Sequence, residues 1–218
     1  MERTLVISIN ASWNILNFRM GLIEGLRREG YRVIALSPAD EHSERLKALG
    51  VEHVPIAIDS AGLSPLRDLA LLARYYRLLK RIRPDAFLGY TAKPNVYGSL
   101  AAHALGIPVV NNISGLGTAF IERGPLRRIV TSLYRLALRR SKAVFFQNPE
   151  DRRLFLDEKL VGEEQARLLP GSAAQSRITS ARMPSSKSSP ESIQSLATAK
   201  IVEHPARRCG SFRRFIGP

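Results

Sequence analysis

The sequence GYTAKPNVYGSLAAHALGIPVVNNISGLGTAF, residues 89–120, decides the fold of this chain. It reads as the end of a strand, a polar loop, a helix that Pro94 can open, a second strand and a glycine-bearing loop. Each loop follows the carboxyl end of its strand, so both loops open on the same edge of a sheet. Ligands bind at that edge in open α/β sheets. We therefore expect the functional site there.

Strands and helices alternate through the rest of the first 172 residues. Short apolar, β-branched runs predict strands at residues 5–9, 31–37, 51–58, 86–90, 107–111, 143–147 and 166–170. Helical spacing predicts helices at residues 17–30, 40–49, 65–82, 125–140 and 149–160, and one from Pro94, with residues 11–17 as a loop. The apolar faces of two of these helices are predicted from Phe18, Leu22 and Leu26, and from Leu69, Ala73, Tyr76 and Leu79. This rhythm predicts an α/β fold with a doubly wound parallel sheet.

The loops at the predicted sheet edge carry candidate ligand contacts. Lys93 supplies charge, Asn95 and Asn111 can bind hydroxyl groups, and Gly115 and Gly117 allow close backbone approach. The plainer alternatives are a solvated lysine and an ordinary glycine turn.

The first loop adds three candidates, Asn14, Asn17 and Arg19, near the start of a helix. Free N–H groups and the helix dipole favour an anion or a sugar hydroxyl at such a place. The alternative for Asn17 is a helix cap.

The helix at residues 125–140 separates basic and apolar side chains. Arg128, Arg135 and Arg139 align on one side, with Ile129, Val130, Leu133, Leu136 and Ala137 opposite. One interpretation is that the apolar side packs on the sheet and the arginines are solvated. The other is that the basic side, with Arg123 and Arg127 nearby, contacts anionic phospholipid.

Composition and motifs exclude several classes of protein. The formal charge of +14 suggests phosphorylated ligands, anionic lipid or nucleic acid as partners. Aromatic residues do not interleave with the basic ones as in single-strand nucleic-acid binders, so a nucleic-acid partner is not expected. Cys209 is the single cysteine, so neither disulfides nor a cysteine-rich zinc site is expected. No signal peptide and no membrane-spanning run is expected.

The sequence offers no self-contained catalytic constellation. The first strand-to-helix loop has no glycine between residues 10 and 18, so a dinucleotide-binding fingerprint is absent, as are a P-loop, a zinc-binding HExxH and a nucleophile elbow. His103 lies within a helix and is predicted to pack. Catalytic residues remain unassigned, and no metal site is expected.

Residues 173–218 differ from the rest of the chain. They hold eight basic and two acidic residues, many serines and no apolar period. Such a segment buries too little apolar surface to offset the entropy of ordering. We expect residues 1–172 to form one domain and residues 173–218 to be a largely disordered basic tail.

Four motifs carry a family resemblance: NFRMGLIEGLRREGYRV at 17–33, RPDAFLGY at 83–90, YTAKPNVYGSLAA at 90–102 and ISGLGTAF at 113–120. Together they resemble the amino-terminal domain of family-4 glycosyltransferases, close to bacterial enzymes that add N-acetylgalactosamine to undecaprenyl-diphosphate-linked saccharides. The resemblance covers residues 4–172. It implies the GT-B architecture, in which two Rossmann-like domains enclose a cleft.

The resemblance also implies roles. The first domain of such enzymes holds the lipid-linked acceptor and touches the membrane, and the second binds the nucleotide sugar. Transfer is retaining and needs no metal ion. The implied location is cytoplasmic, on the inner face of the membrane, in surface-polysaccharide or lipid-linked oligosaccharide synthesis. No cofactor is expected on this chain, and a UDP-sugar is expected for a full-length enzyme. The acceptor-side positions carried over are Asn14, Asn17, Arg19, Lys93, Asn95, Gly115 and Gly117.

Two departures limit what the resemblance implies. The loop after the fourth strand reads TAKPN, where many relatives outside this branch have a histidine. Residues 173–218 contain no E-x7-E pattern and do not replace a donor domain, so we expect this chain alone to be inactive and the tail to be a frameshift product. The alternatives are a donor half on a separate chain, another GT-B enzyme such as a nucleotide-sugar epimerase, and a non-catalytic module that binds anionic membrane.

Overall fold

A computed structural model describes residues 2–59, 62, 64–115 and 124–169 of the chain, with only the backbone of residues 125 and 126. The predictions made for Gly117, for Arg123 and for the tail at residues 173–218 lie outside the described residues.

Within these residues, one seven-stranded sheet of parallel strands forms the centre of the molecule. The strands are β1 (Arg3–Ser8), β2 (Tyr31–Ser37), β3 (Glu52–Pro55), β4 (Ala86–Tyr90), β5 (Val109–Ile113), β6 (Ala143–Phe146) and β7 (Ala166–Leu168). The helices are α1 (Ser12–Phe18), α2 (Met20–Arg28), α3 (Ser43–Ala48), α4 (Pro65–Ile82), α5 (Ser99–Ala104), α6 (Pro125–Leu138) and α7 (Pro149–Asp157). The predicted α/β fold is confirmed.

The strand order β3-β2-β1-β4-β5-β6-β7 makes the sheet doubly wound. Helices α1 to α3 cover one face, where their apolar side chains pack with Leu5, Ile7 and Leu88. Helices α4 to α7 cover the other face around Val6, Phe87 and neighbouring strand residues. The order reverses between β1 and β4, so a crevice opens beyond the carboxyl ends of these two strands.

A π-helical segment at Pro94–Gly98 connects the loop after β4 to helix α5. All five of its residues are buried. Gly98 faces the ring of Phe87, so closely that a Cβ atom added at Gly98 would lie 2.3 Å from Phe87 Cζ. The glycine is therefore required for the segment to pack against the sheet. Single π-helical turns occur frequently at functional sites.

The structure corrects the predicted loop before the first helix. Residues 11–17 were expected to be a loop, but Ser12–Phe18 forms helix α1. Arg19 is the one residue between α1 and α2. Phe18 was expected on the buried face and is 46% exposed, because it belongs to α1 and not to the helix that contains Leu22 and Leu26. Phe18 instead packs edge-on against Trp13, with ring centroids 5.5 Å apart.

The buried faces of two long helices also differ from the prediction. In α4 the buried residues are Asp68, Leu71, Tyr75 and Leu79, whereas Leu69 and Tyr76 are exposed. In α6 Val130, Tyr134, Ala137 and Leu138 are buried, whereas Ile129 and Leu136 are exposed. The predicted apolar face of each helix differs from the buried face by a rotation of part of a turn about the helix axis. This difference arises because both helices carry more apolar residues than the sheet covers.

Candidate functional site

Arg19 lies at the crevice between β1 and β4. Its guanidinium carbon is 4.5 Å from the centre of the Tyr90 ring at the end of β4. One of its Nη atoms donates to the Phe18 carbonyl, whereas Nε is buried and has no hydrogen-bond partner among the described residues. A cation held by stacking, with a donor left unpaired, is suited to bind an oxygen-rich ligand.

The other candidates of the first loop have local partners. The Asn14 amide donates to Asn10 Oδ1 at 3.2 Å, and the Asn17 amide donates to the Trp13 carbonyl at 2.8 Å. Asn17 lies in the last turn of α1, so it is neither at a helix amino terminus nor a cap there. The alternative of a cap is wrong for Asn17, whereas its contact with a ligand stays a prediction.

The amino terminus of α1 is occupied by a carboxylate of the chain itself. Asp40 Oδ2 accepts the Ser12 N–H at 2.9 Å, and Oδ1 accepts the His42 N–H at 3.0 Å. Burial alone would raise the pKa of Asp40, but the hydrogen bonds from Ser12, His42 and Ser43 lower it overall. Asp40 therefore holds the loops after β1 and β2 together where an anion would otherwise bind.

Lys93, in the loop after β4, forms a buried ion pair. Its Nζ lies 2.9 Å from Asp68 Oδ1 of helix α4, and the two side chains are 11% and 7% exposed. Asp68 Oδ1 has no other hydrogen-bond partner among the described residues. Burial, then the charge of Asp68, then a hydrogen bond to Asp68 raise the pKa of Tyr97. Tyr97 therefore lies close to the carboxylate that pairs with Lys93, and the neutral phenol is favoured there.

The backbone of this loop is strained beside Lys93. Thr91 has a φ of 61°, in the left-handed region that non-glycine residues rarely adopt. Its hydroxyl donates to the Tyr90 carbonyl, and its own carbonyl accepts the Asn95 N–H at 3.0 Å. Such strain persists only where the surrounding contacts impose it, and it concentrates at ligand-binding sites.

Asn95 and Asn111 lie under the edge and bind each other. Asn111 Nδ2 donates to Asn95 Oδ1 and to Ser99 Oγ, both at 2.9 Å, and Asn95 Nδ2 donates to the Asn112 carbonyl at 2.9 Å. Ser141 Oγ donates to Asn111 Oδ1 at 2.7 Å. Both asparagines are at most 1% exposed. The expectation that their amides contact a ligand is corrected: these amides fix the loop after β4 to β5.

The structure thus brings Arg19 and Lys93 to one edge, with Gly115 exposed in the loop after β5. Gly115 has a φ of 140°, which only glycine adopts readily. Asp68 and Tyr97 are the residues that the sequence analysis missed. Tyr97 stands four residues after Lys93, one helical turn away, and that spacing was the available signal. Nothing in the sequence joins Asp68 to Lys93.

The outer surface of α6, defined by Arg128, Ile129, Leu136 and Arg139, mixes cations with apolar side chains. Ile129 is 54% and Leu136 is 57% exposed, and both arginines are exposed. Arg127 instead forms an ion pair with Glu158, and Arg135 donates to the Glu158 carbonyl at 3.1 Å. Arg127 and Arg135 are therefore directed at the end of α7, although Arg135 remains exposed, and the contact of this basic side with membrane stays a prediction.

His103 packs against helix α6 and does not face the crevice residues. His103 Nε2 donates to the Ala137 carbonyl of α6 at 2.9 Å, and its pKa is lowered chiefly by burial. Across residues 2–59, 62, 64–115 and 124–169, no group of three or more His, Cys, Asp or Glu residues could hold a metal ion. In the described part of the chain, no helix combines the length and the apolar character needed to cross a membrane.

A parallel sheet in this order, with its crevice at the β1–β4 switch point, defines a Rossmann-like domain of the kind found in GT-B proteins. The glycosyl transferase 4-like domain family matches residues 17–171. The chain belongs to that family, as the sequence motifs predicted.

Known proteins agree with this assignment. The chain is 28% identical over 144 residues to N,N'-diacetylbacillosaminyl-diphospho-undecaprenol alpha-1,3-N-acetylgalactosaminyltransferase of Campylobacter jejuni subsp. jejuni serotype O:2. The alignment covers 64% of this chain and 38% of that protein. The chain therefore spans well under half the length of this relative.

Solved structures show the same fold at low sequence identity. The UDP-GlcNAc 2-epimerase of Neisseria meningitidis has a TM-score of 0.56 at 15% identity, over 81% of this chain and 51% of that one. A glycosyltransferase of Rickettsia africae has a TM-score of 0.56 at 15% identity, over 77% and 42% of the two chains. At this identity the likeness establishes the fold and nothing about the reaction.

Proposed function

We propose that this chain supplies the acceptor-binding half of a glycosyltransferase that extends a lipid-linked saccharide. The observation that carries this proposal is the family match over residues 17–171, which contains every motif of the crevice. The lipid-linked acceptor is inferred from the Campylobacter jejuni relative, whose name specifies an undecaprenol diphosphate saccharide.

Within this proposal the two cations at the sheet edge bind the acceptor. Arg19 directs hydrogen bonds at hydroxyl or phosphate oxygens from one side of Tyr90, and Lys93 stands on the loop that follows Tyr90. A UDP-sugar donor would be held by a second domain of the kind that family-4 enzymes carry. The expected reaction retains anomeric configuration and transfers a hexosyl or N-acetylhexosaminyl group, and this chain alone is expected not to catalyse it.

The test is binding of acceptor to the 218-residue chain. A short-chain polyprenyl diphosphate N-acetylhexosamine, soluble in water, would be titrated into the protein by isothermal calorimetry, beside a parallel titration of UDP-N-acetylglucosamine. The proposal expects saturable binding of the lipid-linked sugar and none of the nucleotide sugar. Binding of the nucleotide sugar alone would contradict it and would favour a donor-binding or epimerase-like role.

Arg19→Ala is expected to weaken acceptor binding at least tenfold. The substitution removes the cation that stacks on Tyr90, together with its unpaired Nε donor. Its effect on stability should stay near 1 kcal/mol, about the value of a partly exposed cation–π contact. Calorimetric titration with the same acceptor measures the loss. Arg28→Ala, which removes an exposed arginine of α2, is the matched control and should bind normally.

We also propose that the outer surface of α6 contacts anionic membrane. Its exposed leucine and isoleucine can enter the headgroup region while Arg128 and Arg139 pair with lipid phosphates. This places the acceptor-binding edge near the lipid that carries the acceptor. The expected location is thus peripheral, on the cytoplasmic face of the membrane.

The membrane proposal predicts a salt-sensitive loss on charge reversal. Arg128→Glu combined with Arg139→Glu should weaken binding to vesicles containing anionic lipid about thirtyfold, since each basic residue contributes about 1 kcal/mol. Vesicle flotation measures the bound fraction. Arg28→Glu with Arg45→Glu makes the same charge change on the opposite face of the sheet. If both double variants lose binding equally, net charge is responsible and the α6 surface is not the contact.

A further inference from the structure

A cavity of about 600 Å³ lies beside the crevice. It is bounded by the ends of β2 and β3, by the first turns of α4 and by Lys93 of the loop after β4. It therefore opens on the same sheet edge as Arg19, displaced towards β3. Because α4 and α6 cover the same face of the sheet, the cavity also lies in the helix layer that carries the α6 surface.

One side of this cavity is apolar. Ile58 and Leu71 form the wall of the cavity, and each is at most 8% exposed. Leu66 lies at the rim and is 84% exposed. Leu69, one turn further along the outer side of α4, is 63% exposed. Apolar side chains exposed at the mouth of a cavity are favourable where a ligand covers them, because burial stabilises by about 25 cal/mol per Å².

The other side of the cavity carries three basic side chains and two carboxylates. Arg67 pairs with Asp59 at 2.8 Å, Arg74 donates to the Ala57 carbonyl at 3.1 Å, and Lys93 pairs with Asp68. Arg74 carries five N–H donors in a planar fork, and the contact with Ala57 uses one of its terminal nitrogens. A guanidinium tethered in this way suits a phosphate, which it can bind through two parallel hydrogen bonds.

Asp59 and Asp68 belong to the same lining and pair with Arg67 and Lys93, so Arg74 is the cation of this lining that has no carboxylate partner among the described residues. An apolar wall beside such a guanidinium matches a ligand with an apolar and an anionic part. We infer that this cavity binds the diphosphate and the first isoprene units of a polyprenyl diphosphate. The phosphates lie against Arg74, with Arg67 beside it, and the hydrocarbon lies along Leu66 and Ile58. The inference rests on the proposed function, since it divides one acceptor between two places: sugar in the crevice and lipid diphosphate in the cavity.

The test uses geranyl diphosphate, which carries two isoprene units and a diphosphate but no sugar, and inorganic diphosphate as the anion alone. Both are titrated into the 218-residue chain by calorimetry. Geranyl diphosphate is expected to bind more tightly than inorganic diphosphate. Equal affinity for the two would overturn the apolar half of the inference, because the anion alone would then explain the binding.

Two substitutions assign the binding to the cavity. Arg74→Met is expected to weaken geranyl diphosphate binding at least tenfold. Leu66→Asn is expected to weaken it severalfold without changing the affinity for inorganic diphosphate. Arg81→Met, two turns further along α4 and outside the cavity, is the matched control. Thermal unfolding of each variant verifies the fold. Unchanged affinity in Arg74→Met would overturn the inference.

These results separate the inference from the proposed function. If geranyl diphosphate binding responds to Arg74 and Leu66 while the lipid-linked sugar is not bound, the cavity inference stands and the glycosyl-acceptor role fails. If the lipid-linked sugar binds with a dependence on Arg19 but none on Arg74 or Leu66, the proposed function stands and the cavity inference fails.

Discussion

Gly98→Ala is expected to lower the free energy of unfolding by about 3 kcal/mol, at the upper end of ordinary overpacking substitutions. A Cβ atom at residue 98 would lie 2.3 Å from Cζ and 2.8 Å from Cε1 of Phe87. Real Cβ atoms do not approach other heavy atoms that closely, so either the ring or the π-helical segment has to shift. Both alternatives disturb buried packing.

The Phe87 ring has little room to move. It lies in β4, is completely buried, and packs edge-on against Tyr75 with ring centroids 6.0 Å apart. Tyr75 is held in turn by the hydroxyl of Ser8, at 2.8 Å. Displacement of the segment would instead move Asn95 and Lys93, which belong to the same turn. We therefore expect loss of acceptor binding together with loss of stability.

Urea denaturation measures this effect. Gly162→Ala is the matched control, because the nearest atom to its added Cβ would be 3.7 Å away, an ordinary contact. The double variant Gly98→Ala with Phe87→Leu should recover part of the loss relative to the sum of the single changes, since leucine vacates the contested space. Additive losses would show that the Phe87 ring is not the cause.

The sheet could be predicted because its strands are buried on both faces. Strands β1, β2, β4 and β6 are short apolar runs bounded by loops. A strand covered by helices on both faces is apolar along most of its length, so it can be recognised from the sequence. The helix periodicity then supplied the crossovers. Boundaries were less exact, as for β3, where a predicted strand at 51–58 forms ladder pairs only at Glu52–Pro55.

The helix faces could not be read with the same accuracy. Leu69, Tyr76, Ile129 and Leu136 satisfy helical spacing, yet all four are exposed. Spacing shows which residues share a side of a helix, but not how much of that side the sheet covers. Helix α1 was missed for a related reason: seven residues with asparagines and a tryptophan carry neither a strong period nor a cap signal, and α1 is stabilised by its packing and by Asp40.

The site was only partly predictable for a topological reason. Lys93 and Arg19 were found because each follows the carboxyl end of a strand, and that position is set by the fold class. Asn95 follows the end of β4 as well, but its side chain turns inward and binds Asn111, which lies within β5. Which way a side chain turns at such a place depends on neighbours distant in sequence, and Asp68 is the clearest case.

Asp68→Asn is expected to lower the free energy of unfolding by about 3–5 kcal/mol, as for other buried ion pairs that lose one partner. Asparagine keeps the oxygen that accepts the Ser64 N–H, now at 3.2 Å, so the change is largely one of charge. The ammonium of Lys93, whose side chain is 11% exposed, would be left without its carboxylate, and the charge that favours a neutral Tyr97 phenol would be lost. Urea denaturation measures the loss.

Removing both charges distinguishes a structural pair from a functional one. Asp68→Leu with Lys93→Met should restore most of the stability that Asp68→Asn loses, because apolar residues of similar size often replace a buried ion pair without cost. Acceptor binding should nevertheless remain at least tenfold weaker, since the cation at the sheet edge is gone. Tyr97→Phe, which removes the hydroxyl beside Asp68, should cost at most about 1 kcal/mol and leave acceptor binding nearly unchanged. If the stable double variant binds acceptor normally, Lys93 only fastens the loop to α4, and Arg19 carries recognition alone.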